Sequence, residues 1–495
     1  MATKLPDVDV AIIGAGISGI GMAAHMQMSC PGRSYAIFER RAQLGGTWDL
    51  FRYPGIRSDS DMHTLGFAFE PWVHEKSIAD GPSILEYLDK IVDERGIRPH
   101  IRLDNKVVSA DFHSDDACWH IVAETPAGRQ ETTARFLYLG SGYYDYDQPF
   151  DAAFPGREDF QGQVVHPQFW PQDLDYAGKR VVVIGSGATA VTVVPAMAAK
   201  AAHVTMLQRT PTWMIARPAR DAIANFLRRI LPGETAYRLT RMKNIWFQRM
   251  LFKRAKTKPG KVADFLTKET RKLLGDKYTE RDFKPPYDPW DQRLCLVPDE
   301  DFFAAIREGR ASVVTDHIER FDATGIQLKS GQHIDADIIV TATGLSLSFG
   351  GHVRYSIDGQ EMDKTQHWFY RGCMFSNVPN FAMTFGYLNA SWTLRVDNNA
   401  DYLCKVLNLM EAKGADIVLP YLPDDNALEE VDLFDFSSGY LQRGKHLVPK
   451  SAATLPWRLN QNYKEDCEDF RTRPIDDGIL RFEHAHPAQL AQAAE

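Results

Sequence analysis

The chain has 495 residues, a length that corresponds to roughly two to four domains. Hydrophobic residues make up 44% of it and charged residues 25%, which is the ordinary composition of a globular protein. A net charge of −8 excludes a general basic surface, so we expect no nucleic-acid partner. The six cysteines form no C-x-x-C pair, so we expect reduced, mostly buried thiols and no bound metal. With no signal-peptide pattern and no apolar run near the roughly 18 residues of a membrane span, we expect a cytoplasmic protein.

Residues 8–39 have the pattern of a dinucleotide-binding unit. A buried strand at 8–13 precedes the glycine turn GAGISG, a helix-compatible stretch at 20–28 and a second strand at 34–38. The glycines Gly14, Gly16 and Gly19 allow a tight turn and close backbone approach to a pyrophosphate at the helix N-terminus. Glu39 ends the second strand, where it can accept hydrogen bonds from ribose hydroxyls. The unit therefore favours FAD or NAD.

The same pattern recurs in the middle of the chain. A strand at 180–184 leads into the turn GSGATA, a helix to Lys200 and a strand at 204–207. This strand ends in Gln208-Arg209-Thr210 rather than in an acid, and an arginine there attracts the 2′-phosphate of NADP. The alternative is that one of the two units is only a packing module. Opposite charges at the two second strands argue against it.

Residues 216–290 interrupt the second unit. Between residues 226 and 261 there are eleven lysines and arginines against a single acid, Glu234, with apolar side chains interleaved. We predict amphipathic helices here, forming a helical insertion. Its basic face is either a simple solvated surface, a lid near an apolar substrate, or a weak contact with a membrane surface.

Strands are expected again at 311–315 and 337–340, and the small-residue turn 341–344 suits a chain that crosses back to the first unit. The predicted fold is α/β, with two Rossmann-like dinucleotide-binding domains, for FAD and NADP, and a helical insertion. The predicted segments are the FAD-binding domain at 1–145 and 377–495, the NADP-binding domain at 146–215 and 291–376, and the insertion at 216–290. Residues 487–495 are expected to form a frayed tail.

Two longer motifs flank the glycine turns. One is Gly45-Gly46-Thr47-Trp48-x4-Tyr53-Pro54-Gly55-x3-Asp59, and the other is Phe160-x-Gly162-x3-His166-x3-Trp170-Pro171. Together they make the chain resemble the type I Baeyer–Villiger monooxygenases, which are class B flavoprotein monooxygenases. Stretches such as FRYPGIRSDSDM and DPWDQRLCLVP are similar to those of the bacterial ethionamide-activating monooxygenases in particular.

The resemblance implies a reaction and its catalytic residues. In this family NADPH reduces FAD, and the reduced flavin captures O2 as a C4a-peroxide that converts ketones to esters or lactones and also oxygenates sulfur in thioethers and thioamides. Arg293 matches the arginine that stabilises the negative charge of the peroxyflavin and of the oxyanion that forms from the ketone. Asp59 matches the acid that pairs with this arginine and orients it. The alternative for Arg293 is a surface salt bridge. The apolar insertion and residues 381–392 favour medium-chain or aromatic substrates.

The resemblance also implies a set of cofactor-binding residues. Those for FAD are Gly14, Gly16, Ser18, Gly19, Glu39, Thr47, Trp48, Asp59 and Val107. Those for NADP are Arg57, Ser58, Gly185, Ser186, Gly187, Ala188, Thr189, Arg209 and Thr210. Trp48 either packs against the isoalloxazine or belongs to the core. Many family members have a lysine where this chain has Gln292, so selectivity for NADP is expected to depend mainly on Arg209.

His166 is interpreted as a linker residue that couples domain motion to flavin reduction, with Trp170 and Pro171 in structural roles. Three other classes compete with this interpretation. A sulfur- or nitrogen-oxygenating flavin monooxygenase without Baeyer–Villiger activity has the same fold, although Trp170 and the segment DPWDQR favour carbonyl chemistry. A disulfide reductase would need a cysteine pair within 44–61, which has none. A non-enzymatic FAD-binding protein would need neither an NADP unit nor Arg293.

Overall fold

The computed structural model describes residues 5–434 and 436–485. In it the two glycine turns belong to two different sheets, and each turn follows an interior strand of its sheet. The strands of the first sheet are β1 (Val8–Ile13), β2 (Tyr35–Phe38), β3 (Ile101–Arg102), β4 (Lys106–His113), β5 (Cys118–Thr125), β6 (Gly128–Leu139), β17 (Arg354–Ile357), β18 (Gln360–Glu361) and β21 (Phe381–Met383). They run in the order β18-β17-β4-β5-β6-β1-β2-β3, and β21 also pairs with β6.

The centre of this sheet is parallel, with Val10 of β1 opposite Tyr35 of β2 on one side and Phe136 of β6 on the other. Strands β1 and β2 and the second half of β6 are almost continuously apolar because both faces of the sheet are buried there. The helices of this unit are α1 (Ile17–Ser29), α2 (Thr47–Leu50), α3 (Met62–Leu65), α4 (Gly81–Glu94) and α11 (Trp392–Lys413). Helix α11 packs along α1, so the C-terminal part of the chain completes the core of the first unit.

The strands of the second sheet are β7 (Gln163–Val165), β8 (Arg180–Ile184), β9 (His203–Gln208), β12 (Ala311–Thr315) and β16 (Ile338–Thr341), and its helices are α5 (Ala188–Ala198) and α10 (Asp301–Arg307). The sheet is parallel throughout and has the order β12-β9-β8-β16-β7. A small antiparallel sheet comes between β12 and β16 in the chain, with strands β13 (Ile318–Asp322), β14 (Gly325–Leu328) and β15 (His333–Asp335). The predicted fold class, with two Rossmann-like units, is confirmed.

The structure differs from the predicted segment boundary at residues 376 and 377. The predicted boundary places residues 354–361 in the NADP-binding domain, but they form β17 and β18 in the first sheet, where Tyr355 is opposite Ala110 of β4. Tyr355 is only 2% exposed and packs edge-on against Phe381 of β21. The apolar face of this short strand is therefore buried in the first core, so the chain crosses back earlier than predicted.

The insertion is helical, as its residue pattern predicts. Its helices are α6 (Ala222–Ile230), α7 (Gly233–Thr257), α8 (Pro259–Leu274) and α9 (Glu280–Phe283). It lies between β10 (Met214–Arg217) and β11 (Cys295–Pro298), which pair in parallel and bring its two ends together. None of the described helices combines the length and the apolar character needed to cross a bilayer.

A buried arginine fastens the insertion to the first unit. Arg241 of α7 is 7% exposed and donates to the Asp397 carboxylate of α11 at 2.9 Å. It also donates to the carbonyl oxygens of Gly66 at 2.6 Å and His63 at 3.1 Å. Because a buried charge needs full compensation, these bonds fix the position of α7 over residues 63–66.

The remaining C-terminal elements are short and contribute to the buried clusters on both faces of the first sheet. They are the helices α12 (Gly439–Gly444) and α13 (Tyr463–Thr472) and the strands β19 (Phe369–Tyr370), β20 (Met374–Phe375), β22 (Ile417–Pro420), β23 (Glu430–Val431), β24 (Ser451–Ala452) and β25 (Leu480–Glu483). The predicted tail at 487–495 lies outside the described residues.

Candidate active site

The first glycine turn is shaped by close backbone contacts. Gly14 has a φ of +101°, and a Cβ there would lie 2.8 Å from the Gly140 carbonyl oxygen. A Cβ on Gly19 would lie 1.9 Å from the Gly14 oxygen, so this glycine brings α1 against β1. Gly16 instead faces a cavity. The first N–H groups of α1 have no partners within the helix and point toward the same space, which suits a pyrophosphate.

Glu39 closes this turn at the end of β2. Its carboxylate accepts from the backbone N–H of Ala15 at 2.8 Å and of Arg41 at 2.9 Å, and the residue is 4% exposed. Burial raises the pKa of Glu39, and the two backbone donors oppose that rise. Each carboxylate oxygen keeps acceptor capacity toward the cavity, as the predicted role at the ribose requires.

The second glycine turn repeats this design. Gly185 has a φ of +133°, and a Cβ there would lie 2.2 Å from the Ala342 carbonyl oxygen. Gly187 precedes α5, and a Cβ on it would meet no atom within 4 Å. The Ser186 hydroxyl donates to the Thr210 carbonyl oxygen at 2.9 Å and so ties the turn to the end of β9. Gly185 is thus required by packing, whereas Gly187 leaves open space beside the helix N-terminus.

Both units contribute to one cavity of about 350 Å³. The predicted residues that line it are Gly14, Gly16, Ser18, Glu39, Thr47, Trp48, Arg57, Ser58, Asp59, Val107, Ala188, Thr189 and Arg293. The predicted residues that do not line it are Gly19, Gly185, Ser186, Gly187, Arg209 and Thr210. The first residues of both helices, Ile17 of α1 and Ala188 of α5, line this cavity, so both helix N-termini border it.

The Arg293 guanidinium and the Asp59 carboxylate form a bidentate pair in this cavity. Nε lies 2.9 Å from one carboxylate oxygen and Nη2 lies 3.0 Å from the other. Burial lowers the pKa of Arg293, but Asp59 and nearby tyrosine hydroxyls raise it more, so the net pKa lies above its ordinary value. Each side chain is 36% exposed, and both face the cavity. The predicted pairing of these two residues is present.

A strained loop positions Arg293. Trp290 has a φ of +73°, a conformation that a bulky side chain rarely adopts and that is often found at functional sites. Its ring packs edge-on against Phe252 of α7, with the centroids 5.5 Å apart. On the other side, the Ser437 N–H donates to the Asp291 carbonyl oxygen at 2.8 Å. The insertion and the C-terminal segment therefore both hold the loop that carries the arginine.

Three tyrosines near Arg293 were not predicted from the sequence. The hydroxyls of Tyr143 and Tyr144 are 2.6 Å apart, and both residues line the cavity. Burial raises the pKa of Tyr143, Tyr144 and Tyr440, and the charge of Arg293 opposes the rise in each case. Tyr143 and Tyr144 follow the end of β6, where the small-residue run Gly140-Ser141-Gly142 is the signal that could have identified them. Tyr440 has no such local signal.

The cavity has features that fit a large polar cofactor. The Ser141 hydroxyl is buried beside it without a hydrogen-bond partner among the described residues. Gly16 and Gly46 approach so closely that a Cβ on Gly46 would lie 3.0 Å from the Gly16 Cα. Trp48 lines the cavity and also packs against the first core, so both interpretations of it agree with its position. The unpartnered Ser141 hydroxyl and the glycine-lined space therefore fit the binding of FAD.

Trp392 is a further aromatic residue that sequence reasoning missed as a site residue. Its indole N–H donates to the Ser18 hydroxyl at 2.8 Å, and its ring stacks on Tyr143 with centroids 5.2 Å apart. It begins α11, far along the chain from the first turn. The contact therefore comes from the return of the chain to the first unit.

The two arginines predicted for NADP have different surroundings. Arg57 lines the cavity, but it forms an ion pair with Asp301 of α10. Arg209 follows β9 and is exposed, and it has no ion-pair partner within residues 5–434 and 436–485. Arg209 is therefore free to meet an anion, whereas Arg57 would have to share its charge with Asp301.

The predicted linker residues His166 and Trp170 do not line the cavity. His166 accepts from the Gln168 N–H through Nδ1 at 3.2 Å, and burial lowers its pKa. Trp170 packs against the second core, in line with a structural role.

In the described part of the chain one group, Asp145, Asp147 and His352, has the spacing of metal ligands, but Asp147 pairs with Arg40. All six cysteines are free, and five are buried.

Two dinucleotide units that meet at a cavity with a paired arginine define a nucleotide-dependent oxidoreductase, and comparisons with known proteins agree. Residues 73–372 match the model of the family described as "Flavin-binding monooxygenase-like". Residues 12–75 match an "NAD(P)-binding Rossmann-like domain". The chain therefore belongs to the flavin-binding monooxygenase-like family.

Curated relatives match over nearly the whole chain. The "Probable FAD-binding monooxygenase AlmA" of Acinetobacter baylyi is 47% identical, with 96% of each chain covered. The "FAD-containing monooxygenase EthA" of Mycobacterium tuberculosis is 49% identical, with 96% of this chain and 97% of the relative covered. The resemblance to class B flavoprotein monooxygenases, and to the ethionamide-activating group in particular, is confirmed.

Solved structures share the fold. A steroid monooxygenase bound to NADP has a TM-score of 0.75 at 22% identity, with 96% of this chain and 99% of that chain covered. A cyclohexanone monooxygenase bound to ε-caprolactone has a TM-score of 0.74 at 20% identity, with the same coverage. The two cofactors expected from the sequence, FAD and NADPH, agree with these relatives and structures.

Proposed function

We propose that this chain is an FAD-containing monooxygenase that uses NADPH and O2 to convert ketones to esters or lactones. We further propose that the same site oxygenates sulfur in thioethers and thioamides. The observation that carries the proposal is the bidentate pair of Arg293 and Asp59 in a cavity lined by both dinucleotide units. The names of the curated relatives support the monooxygenase class.

The first unit contains the residues that would hold FAD. Gly14, Gly16 and the start of α1 would receive the pyrophosphate, Glu39 the ribose, and Val107 the adenine through its backbone. A bound flavin supplies electron transfer and activation of O2. The chain supplies binding, orientation and the exclusion of water from the cavity.

The second unit contains the residues that would hold NADPH. Gly187 and the N-terminus of α5 would receive the pyrophosphate, and the exposed Arg209 would receive the 2′-phosphate. Thr189 and Ala188 line the shared cavity and would bring the nicotinamide end toward the flavin site. Hydride transfer requires such an approach of the two rings.

Arg293 would stabilise the negative charge that develops on the oxygen of a ketone substrate. Asp59 holds Nε and Nη2, so the plane of the guanidinium is fixed before the substrate arrives. Nη1 remains free to donate, because no described residue accepts from it. A donor that is oriented in advance stabilises the transition state without reorganisation during the reaction.

The variant Arg293→Ala tests this role. We expect ester formation to fall by about 10²- to 10³-fold, while reduction of the flavin by NADPH stays within a few-fold of the wild type. Stopped-flow absorbance follows the flavin, and gas chromatography follows the product. Arg98→Ala is the matched control, because Arg98 also bridges carboxylates, Asp89 and Asp93, but on the outer surface. Loss of flavin reduction in Arg293→Ala would contradict the proposed role.

A product assay separates Baeyer–Villiger chemistry from heteroatom oxygenation. The purified flavoprotein is given NADPH, air and a mixture of 2-decanone and a methyl aryl sulfide. Formation of both ester and sulfoxide would establish the proposed activity. Sulfoxide without ester would assign the chain to the heteroatom-oxygenating monooxygenases instead.

A further inference from the structure

Helices α6 and α7 of the insertion have an unusual concentration of exposed apolar side chains. Among the described residues, fourteen large hydrophobic side chains are exposed, and seven of them are on these two helices. Isolated exposed apolar residues are normal in soluble proteins, but contiguous groups mark an interaction surface. The clustering on two packed helices therefore indicates an interaction surface.

Six of these seven side chains, all except Phe247, form one stripe on each helix. On α6 the stripe is Ile223, Phe226 and Ile230, which are 54%, 59% and 59% exposed. On α7 it is Leu239, Met242 and Trp246, which are 43%, 65% and 62% exposed. Spacings of three and four residues place each set on a single helix face. These six residues are called the apolar stripes below.

Positive charge borders the apolar stripes. Arg229 is three residues after Phe226, and Arg249 and Lys253 continue the face of Trp246 by one and two turns. None of the three has a carboxylate partner in the part of the chain that the structure describes. The chain as a whole has a net charge of −8, so this is a local basic area on an acidic protein.

We propose that this surface, the apolar stripes together with Arg229, Arg249 and Lys253, binds the surface of an anionic lipid membrane. An interfacial helix buries Trp, Phe and aliphatic side chains at the headgroup level, while neighbouring Lys and Arg contact lipid phosphates. A second copy of the chain fits less well, because it would bring the same uncompensated positive charges against each other.

The position of α7 connects this surface with the active-site cavity. Arg241, on the buried side of the helix, binds the carbonyl oxygens of His63 and Gly66. Leu65, between them, lines the cavity. The lipid-binding surface therefore lies on the outer side of the helix that packs against one cavity wall. The lipid contact itself does not depend on the proposed reaction.

Sedimentation with vesicles tests the proposal on the full-length flavoprotein. One set of vesicles is pure phosphatidylcholine, and the other contains equal parts of phosphatidylcholine and phosphatidylglycerol. We expect binding to the anionic vesicles that is at least about tenfold stronger than to the neutral ones and that weakens between about 50 and 500 mM salt. Absence of binding to anionic vesicles at low salt would overturn the proposal.

Two combined variants locate the contact. Ile223→Ser with Phe226→Ser and Trp246→Ser removes apolar anchors, and Arg229→Glu with Arg249→Glu and Lys253→Glu reverses the charges. Each set should lower vesicle binding at least about tenfold while the flavin spectrum and the rate of NADPH oxidation remain. The charge reversal also covers the case that the apolar variant fails to fold.

The matched control lies on the next helix of the insertion. Phe265 of α8 is 53% exposed, and Lys268 follows it by three residues, so Phe265→Ser with Lys268→Glu changes similar side chains outside the surface. This control should bind vesicles like the wild type, and an equal loss would contradict the assignment to α6 and α7.

Light scattering without lipid provides a second check. If the wild type is a dimer that the apolar variant dissociates, the surface is a protein interface and the proposal is wrong.

Discussion

Two arginines of the second unit are suited to anionic groups in different ways. Arg293 is held by Asp59 in a cavity, so its charge has a fixed position and direction. Arg209 is exposed and has no ion-pair partner among the described residues, so its charge is available to a ligand that arrives from solvent. Fixed orientation suits a reacting oxygen, whereas an accessible guanidinium suits a phosphate that binds and leaves.

The variant Arg209→Ala tests recognition of the 2′-phosphate. A charge-assisted contact contributes about 1.5–3 kcal/mol, so the KM for NADPH should rise by about 10- to 100-fold while that for NADH stays nearly constant. Steady-state kinetics with both nucleotides measures the difference. The opposite effect is expected for Gln292→Lys, which introduces the lysine that many family members have at this position and should therefore strengthen the preference for NADPH over NADH. Equal effects of Arg209→Ala on the two nucleotides would mean that the phosphate is bound elsewhere.

At the scale of the elements, each glycine turn separates two structural demands. One glycine allows the backbone to pass close to a neighbouring strand, and another leaves space at the helix N-terminus for a ligand. In the second unit these are Gly185 and Gly187. The same sequence motif therefore contains one residue that the packing requires to be glycine and one that leaves space for the proposed ligand.

Alanine at these two positions should separate folding from binding. Gly185→Ala forces a side chain into a left-handed conformation, 2.2 Å from the Ala342 oxygen, and should destabilise the protein by at least about 1–3 kcal/mol. Gly187→Ala should change stability by no more than about 1 kcal/mol and raise the KM for NADPH. Thermal unfolding and kinetics are the two measurements. A strongly destabilised Gly187→Ala protein would contradict the open space beside that residue.

The anchoring of the insertion gives a second prediction at this scale. Arg241→Ala removes the guanidinium that compensates buried carbonyl oxygens and the Asp397 carboxylate, which should lower stability by about 3–5 kcal/mol. Arg238→Ala on the same helix removes an exposed arginine and should stay within about 0.5 kcal/mol. Chemical denaturation compares the two variants. Equal stabilities would show that Arg241 is not the anchor of α7.

The parts that the sequence predicts well are those with local signals. Both glycine turns and the insertion follow from short patterns of neighbouring residues, whereas the pairing of Arg293 with Asp59, 234 residues apart, is expected only from the resemblance to known monooxygenases. The placement of β17 in the first sheet and of Tyr440 beside Arg293 depends on contacts between distant segments. Periodicity over a few residues contains no information about which distant strand or loop becomes the neighbour, so these features required the structure.

At the scale of the whole molecule, the cavity joins the two units. Its lining includes Glu39 and Val107 from the first unit and Thr189 and Arg293 from the second. A cofactor in this cavity would contact both units, and a ligand that binds the folded chain stabilises it by mass action. The flavin should therefore contribute to the stability of the molecule as well as to its chemistry.

Removal of FAD tests this consequence. The melting temperature of the flavin-depleted chain should be lower and should rise on addition of FAD, by the equivalent of about 2.7 kcal/mol at a free concentration of 100 times the Kd. Differential scanning fluorimetry at increasing FAD concentrations gives the curve. Gly16→Ala, which places a methyl group in the cofactor cradle, should shift the curve to higher FAD. A melting temperature that does not change with FAD would contradict the assigned cavity.

The nested path of the chain also sets an order of events during translation. The strands of the second sheet all lie within residues 163–341, inside the span of the first, whose β17, β18 and β21 come later in the chain. Helix α11, which covers α1, emerges from the ribosome later still. The N-terminal unit can therefore complete its core only after residue 413 has been synthesised, whereas every strand of the second sheet is available once residue 341 has been made. The part of this molecule that is synthesised first depends on a part that is synthesised nearly last.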